Sequence, residues 1–219
     1  MIPLGNWRPE LLGLSAVHFG LPIVCDELTC VMAPHWTVIH NPRSCSGKSA
    51  KQWPMIAGLL AQAGITYDLH VTEYAGHAIT LTRDAVLAGS RYFVAVGGDG
   101  TVNEVLNGIL GQAQVPSHEV VMTQIPIGTG NDWRRTVGIP KRVEECVAML
   151  KDGAECVQDI GVVDWMAEGA AQRRFFCNVA GMGFEAAVGV KANADKAAGK
   201  GGILGYIPAL LGILYRYQA

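Results

Sequence analysis

The stretch RYFVAVGGDGTVNEVLNGIL, residues 91–110, admits few folds. An apolar run, 92–96, stops at Gly97-Gly98-Asp99-Gly100, and from Thr101 onward Val102, Val105, Leu106 and Ile109 recur at helical spacing. The order is strand, glycine turn, helix. Glycines let backbone approach a ligand closely, and a helix start presents unpaired N–H groups at a positive dipole end, so phosphate is the natural guest. A carboxylate beside polyphosphate is repelled unless a cation lies between them, so Asp99 is expected to face Mg²⁺, directly or through water. A plain tight turn with Asp99 as an N-cap-like residue is the alternative. The dinucleotide fingerprint does not fit, because Asn103 stands where G-x-G-x-x-G requires its third glycine.

A second loop of the same kind, PIGTGNDWRR at 126–135, follows another apolar run containing Val120, Val121, Met122 and Ile125. Two such loops in one domain can face one ligand. Upstream, HWTVIH (35–40) reads as a strand, and the loop after it, Asn41 to Ser49, ends in Gly47-Lys48-Ser49. A Walker A loop is excluded there, because Pro42 occupies the place of its first glycine. Helices are expected at 53–62, 76–88 and 142–150, with strands at 65–71, 92–96 and near 120–125. Strand and helix alternating at this spacing imply a mostly parallel sheet covered on both faces, with ligands at the carboxyl ends of the strands. The loops after His40, Val71, Val96 and Ile127 all leave at that edge. Thr72, at a strand end, either donates its hydroxyl to a phosphate or purine or simply terminates the strand. After Gly153 the texture changes to β-rich runs at 156–165 and 173–180 without an intervening helix, the signal of an antiparallel second domain.

Together GGDGTVNEVLNG and PIGTGNDWRR closely resemble the signature of the diacylglycerol kinase catalytic domain superfamily, which includes sphingosine and ceramide kinases and is more distantly akin to NAD kinases. Asn41-Pro42, Thr72 with Gly76-His77-Ala78, Asp159-Ile160-Gly161 and the segment 178–184 are similar to the same pattern. The resemblance implies an α/β fold, with a diacylglycerol-kinase-like nucleotide-binding domain at 32–153 and the start of an antiparallel β-sandwich at 154–219. It implies a lipid kinase that uses ATP and Mg²⁺. Asp99, Asp132 and Asp159, from three different loops, would approach the Mg²⁺-nucleotide through water. Gly97, Gly98, Gly100, Thr101 and Asn103 would line the triphosphate, with Thr129 and Asn131 facing them and Asn41, Ser44 and Thr72 completing the nucleotide site. Glu185, in Gly183-Phe184-Glu185, matches a position associated with the lipid head group. The family's Asn-Pro-x-Ser-Gly pattern is broken by Cys45, which costs about 1 kcal/mol if the position requires φ > 0. The family's general base, a glutamate of later sandwich strands, has no match before Ala219, so the sandwich is expected to be cut short.

Composition narrows the remaining classes. Half of the 219 residues are apolar and the formal net charge is −2, mixed in sign along the chain, which disfavours a nucleic-acid partner. The six cysteines form no CxxC pair, as expected of free thiols in a reducing cytosol. No run reaches the ~18 to 20 apolar residues of a membrane span. Residues 1–31 lack a clean period and read either as an early start ahead of Met32 or as a short appendage. With the resemblance, the expected protein is a cytoplasmic ATP-dependent lipid kinase in transient, peripheral membrane contact, with a homodimer as one expected state. A nucleotide-binding module without turnover and an NAD-kinase-like enzyme of soluble substrates are the alternatives.

Overall fold

The computed structural model describes residues 15–19, 33–128, 130–181 and 188–190. The chain parts into two compact units, 1–178 and 179–219, and the sheet lies within the first. The expected boundary at 153/154 falls inside that unit.

Four parallel strands form the centre: β2 (Trp36–His40), β3 (Tyr67–Val71), β4 (Tyr92–Gly97) and β5 (Val121–Pro126), in the order β3-β2-β4-β5. Each reads as a continuous apolar or β-branched run where it is central: every residue of β2 and nearly every residue of β4 and β5 is buried, as both faces are covered by helices. The edge strand β3 alternates only partly and exposes Leu69 and Val71. From β2 the chain steps outward to β3 through α1 (Ser44–Gln62) and returns past β2 to β4 through α2 (His77–Leu87). Right-handed crossovers then put α1 and α2 on opposite faces. Accordingly, α3 (Asp99–Leu110) packs on α2, while α5 (Val143–Asp152), which follows the short helix α4 (Asp132–Val137), packs on α1. Gly108 permits the closest part of the α2–α3 contact, since a Cβ there would lie 2.6 Å from the Ile79 carbonyl oxygen.

Several boundaries differ from the sequence reading. The expected loop after β2 is absorbed into the start of α1, where Cys45, Ser46 and Gly47 take left-handed angles, φ 53°, 57° and 84°, before regular helix sets in. Cys45 therefore does occupy a position that suits glycine. Residues 15–19, placed by the sequence in an extension outside the domain, form β1 (Ser15–Phe19), which lies in the sheet between β5 and β6. The β-rich tail forms an antiparallel hairpin of β6 (Cys156–Ala167) and β7 (Ala170–Phe176). Glu168 (φ 51°) and Gly169 (φ 79°) make its two-residue turn, both with the positive φ that such a turn demands. Gly161 admits the Phe176 ring from the opposite strand, since a Cβ there would collide with it.

Candidate functional site

Because β2 and β4 are neighbours whose outgoing connections run in opposite directions, a crevice opens at their carboxyl ends. The backbone ladder continues into it: Asn41 N–H donates to the Val96 carbonyl and Ile127 N–H to that of Gly97. In the crevice the Thr101 hydroxyl, on the first turn of α3, accepts from Asn41 Nδ2 at 3.1 Å and lies 3.5 Å from Ser44 Oγ. Gly97 is required here by space rather than by dihedral: a Cβ would stand 2.3 Å from Thr101 Oγ1 and 2.9 Å from Ser44 Oγ. Asn41, Ser44, Gly97 and Thr101, expected from sequence to share a ligand, are thus brought together.

The second glycine turn touches the first. A Cβ on Gly128 would lie 2.9 Å from Gly98 Cα and 2.5 Å from Asn131 Oδ1. Asn131, at φ 52°, closes the turn by donating from Nδ2 to the Gly128 carbonyl at 2.9 Å. Across the gap Asp99 Oδ1 accepts the backbone N–H of Trp133 at 3.1 Å, so the carboxylate of one turn caps the helix that follows the other. The N-cap-like role considered for Asp99 exists, but on α4 rather than on its own helix.

Asp99 and Asp132 converge on Gly130. A Cβ there would meet Asp99 Oδ2 at 3.2 Å and Asp132 Oδ2 at 3.7 Å. Each carboxylate has its other oxygen engaged, Asp99 with Trp133 and Asp132 with Arg135. Two oxygens facing one small residue suit a cation held through water. Among the described residues no three His, Cys, Asp or Glu side chains stand close enough to hold a metal directly.

Other expected members are placed elsewhere. Asp159 lies within β6, not in a loop, in register with Ala16. Its neighbour Gln158 accepts from Trp133 Nε1 at 2.9 Å and donates to the Cys177 carbonyl, so strand alternation turns Asp159 to the opposite face from Trp133. Asn103 faces β7: its Nδ2 donates to the Phe175 carbonyl at 3.0 Å and its Oδ1 accepts from Arg174. Asn107 completes that junction by pairing with both the N–H and the C=O of Phe175. Thr72 is buried, its N–H on the His40 carbonyl. Gly98 stands in the turn, and Gly100, in the first turn of α3, is exposed with open space around its Cα. Of the two arginines that end PIGTGNDWRR, Arg134 donates to the Ile139 carbonyl and Arg135 is held by Asp132. Thr129 and Glu185 lie outside the described residues.

Glu104, the last residue of GGDGTVNE, has a role that its sequence context does not signal. Its carboxylate accepts from the backbone N–H groups of Gly76 and Ala78 at 2.9 and 3.3 Å, so α3 caps the start of α2 and fixes the loop after β3. Beneath the β2 loop, His40 is buried, 3.0 Å from Ser49 Oγ and stacked on Trp53, and burial lowers its pKa below 6.5. Burial, with the Asp99 charge nearby, pushes the Cys177 thiol up to about 12.

Residues 35–163 match the diacylglycerol kinase catalytic domain family. The chain belongs to this family. It is 33% identical over 147 residues to a diacylglycerol kinase of Bacillus subtilis, covering 67% of this chain and 45% of the relative. It is 34% identical over 163 residues to sphingoid long-chain bases kinase 1 of Arabidopsis thaliana, covering 71% of this chain and 21% of the relative. A solved diacylglycerol kinase from Bacillus anthracis str. Sterne aligns with a TM-score of 0.45 at 25% identity, over 54% of this chain and 39% of that one. The chain thus spans less than half the length of these kinases. Among the described residues no helix is long and apolar enough to cross a membrane.

Proposed function

We propose that this chain carries the donor site of an ATP-dependent lipid kinase, which transfers the γ-phosphoryl group to a hydroxyl of a diacylglycerol-like lipid. The observation that carries the reading is the contact of the two glycine turns at the sheet's carboxyl edge, spanned by the Asp99–Trp133 hydrogen bond. Phosphoryl transfer depends on positioning and charge stabilisation more than on covalent help from the protein, and this is what such a cradle supplies. Gly97, Gly98 and Gly128 let backbone approach the phosphates, and Thr101, Asn41 and Ser44 offer polar groups beside them. Asp99 and Asp132 would hold Mg²⁺ through water, and that ion would offset the charge of the β- and γ-phosphates. The relatives' names, diacylglycerol kinase and sphingoid long-chain bases kinase, both point to a lipid acceptor, which supports a reading in which the working enzyme makes transient contact with a membrane surface.

The test is transfer of ³²P from ATP to dioleoylglycerol, sphingosine and ceramide in mixed micelles, with wild type and Asp99→Ala. The expected result is Mg²⁺-dependent labelling of at least one lipid, lost in Asp99→Ala, since the loose transition state of phosphoryl transfer needs the cradle and the metal more than a base on the acceptor hydroxyl. Mg·ATP binding without labelling of any lipid would overturn the kinase reading and leave a nucleotide-binding module.

A further inference from the structure

Gln124 is a fully buried amide in the middle of β5, opposite Ala95 of β4. Its Nε2 donates to the Gly97 carbonyl at 2.9 Å and lies 3.5 Å from Asn131 Oδ1. The same Gly97 carbonyl accepts Ile127 N–H at 2.8 Å, so two donors from the β5 side hold one oxygen. A trans peptide is planar, with its C=O and N–H pointing opposite ways. Holding the Gly97 oxygen toward β5 therefore aims the Gly98 N–H away from it, before any ligand arrives. Asn131, the second group within reach of Gln124, in turn holds the Gly128 carbonyl. One side chain thus joins the two glycine turns from below.

The other end of the amide argues that this arrangement does not serve stability. Among the described residues Gln124 Oε1 is buried with no hydrogen-bond partner, and an orphaned buried acceptor destabilises a fold. An apolar side chain of similar size would remove that penalty. We infer that Gln124 is a positioning residue, which sets the Gly97–Gly98 peptide and the Asn131 amide in the orientation that receives the phosphates. The inference rests on the proposed nucleotide site.

The experiment uses the full chain with Gln124→Met and Gln124→Leu, two apolar shapes that pack differently yet both lack the donor. Thermal melting, backbone hydrogen exchange over 97–101 without nucleotide, and Mg·ATP affinity are measured for each. Melting equal to or above wild type is expected, with exchange over 97–101 at least tenfold faster and Mg·ATP affinity about tenfold weaker, the weight of one hydrogen bond. Wild-type exchange in both variants would overturn the inference, whatever the wild type binds. So would a loss of melting temperature that tracks the loss of affinity, since that is an ordinary core defect. A wild type that fails to bind Mg·ATP, with exchange still accelerated in the variants, refutes the nucleotide reading instead and with it the purpose assigned to Gln124.

Discussion

Gly97→Ala is the substitution whose consequence can be worked furthest from the structure. The new Cβ would lie 2.8 Å from Thr101 Cβ and 2.3 Å from Thr101 Oγ1. The hydroxyl can rotate away, but Thr101 Cβ is fixed to the first turn of α3. Ordinary contact begins at 3.4 Å, so the helix start must retreat by 0.6 Å (3.4 less 2.8), and the hydroxyl must leave Asn41. Overpacking on this scale costs about 1–3 kcal/mol of stability. For a chain of this size that lowers the melting temperature by roughly 2–4 °C per kcal/mol. The effect on transfer is larger than on folding, because a displacement near 1 Å in a reacting site costs up to about 10²-fold. The expected kcat/KM for ATP falls about 10- to 100-fold, measured by ³²P transfer at a temperature where calorimetry shows the variant folded. Transfer within twofold of wild type, in a folded variant, would refute the reasoning that the 97–101 backbone must stay where it is.

Three further outcomes follow from individual contacts. Cys45→Gly relieves a left-handed residue and should raise stability by about 1 kcal/mol, read as a higher midpoint in urea. Glu104→Ala removes the acceptor for two N–H groups at the start of α2 and should cost about 0.5–2 kcal/mol, with faster hydrogen exchange over 74–79. His40 is buried and its folded pKa is lowered, so the unfolded chain binds more protons; stability is fully present above pH 6.5 and is lost as pH falls below it. Chemical denaturation from pH 7.5 to 5 should show that slope in wild type and a shallower one in His40→Gln.

Much of the fold was legible because its signals are local. Apolar runs such as 92–96 and 121–125, each broken by glycine and followed by helical spacing, can only be buried parallel strands feeding turns at one edge. The pairing of the two glycine turns followed from that edge. What escaped depends on partners distant in sequence. β1 is a five-residue strand whose only distinction is the neighbours it joins, and its antiparallel pairing with β6 is what draws Asp159 from a loop into a strand. The resemblance sets Asn103 among the residues lining the triphosphate, and its amide donates to the carbonyl of Phe175, far along the chain. Gln124 sits in a mostly apolar run and has no meaning until Gly97 and Asn131 are placed beside it. Cys45 was visible as a departure at a glycine position, and its φ of 53° is the strain that such a departure implies.

The most direct test of the central claim, that two glycine turns cradle one triphosphate, is a ¹⁵N NMR titration of the full chain with Mg·ATP. Amides of 97–101 and of 127–133 are expected to shift together, with one dissociation constant, while those at the tip of the β6–β7 hairpin do not move. Shifts confined to one turn, or to neither, would contradict it.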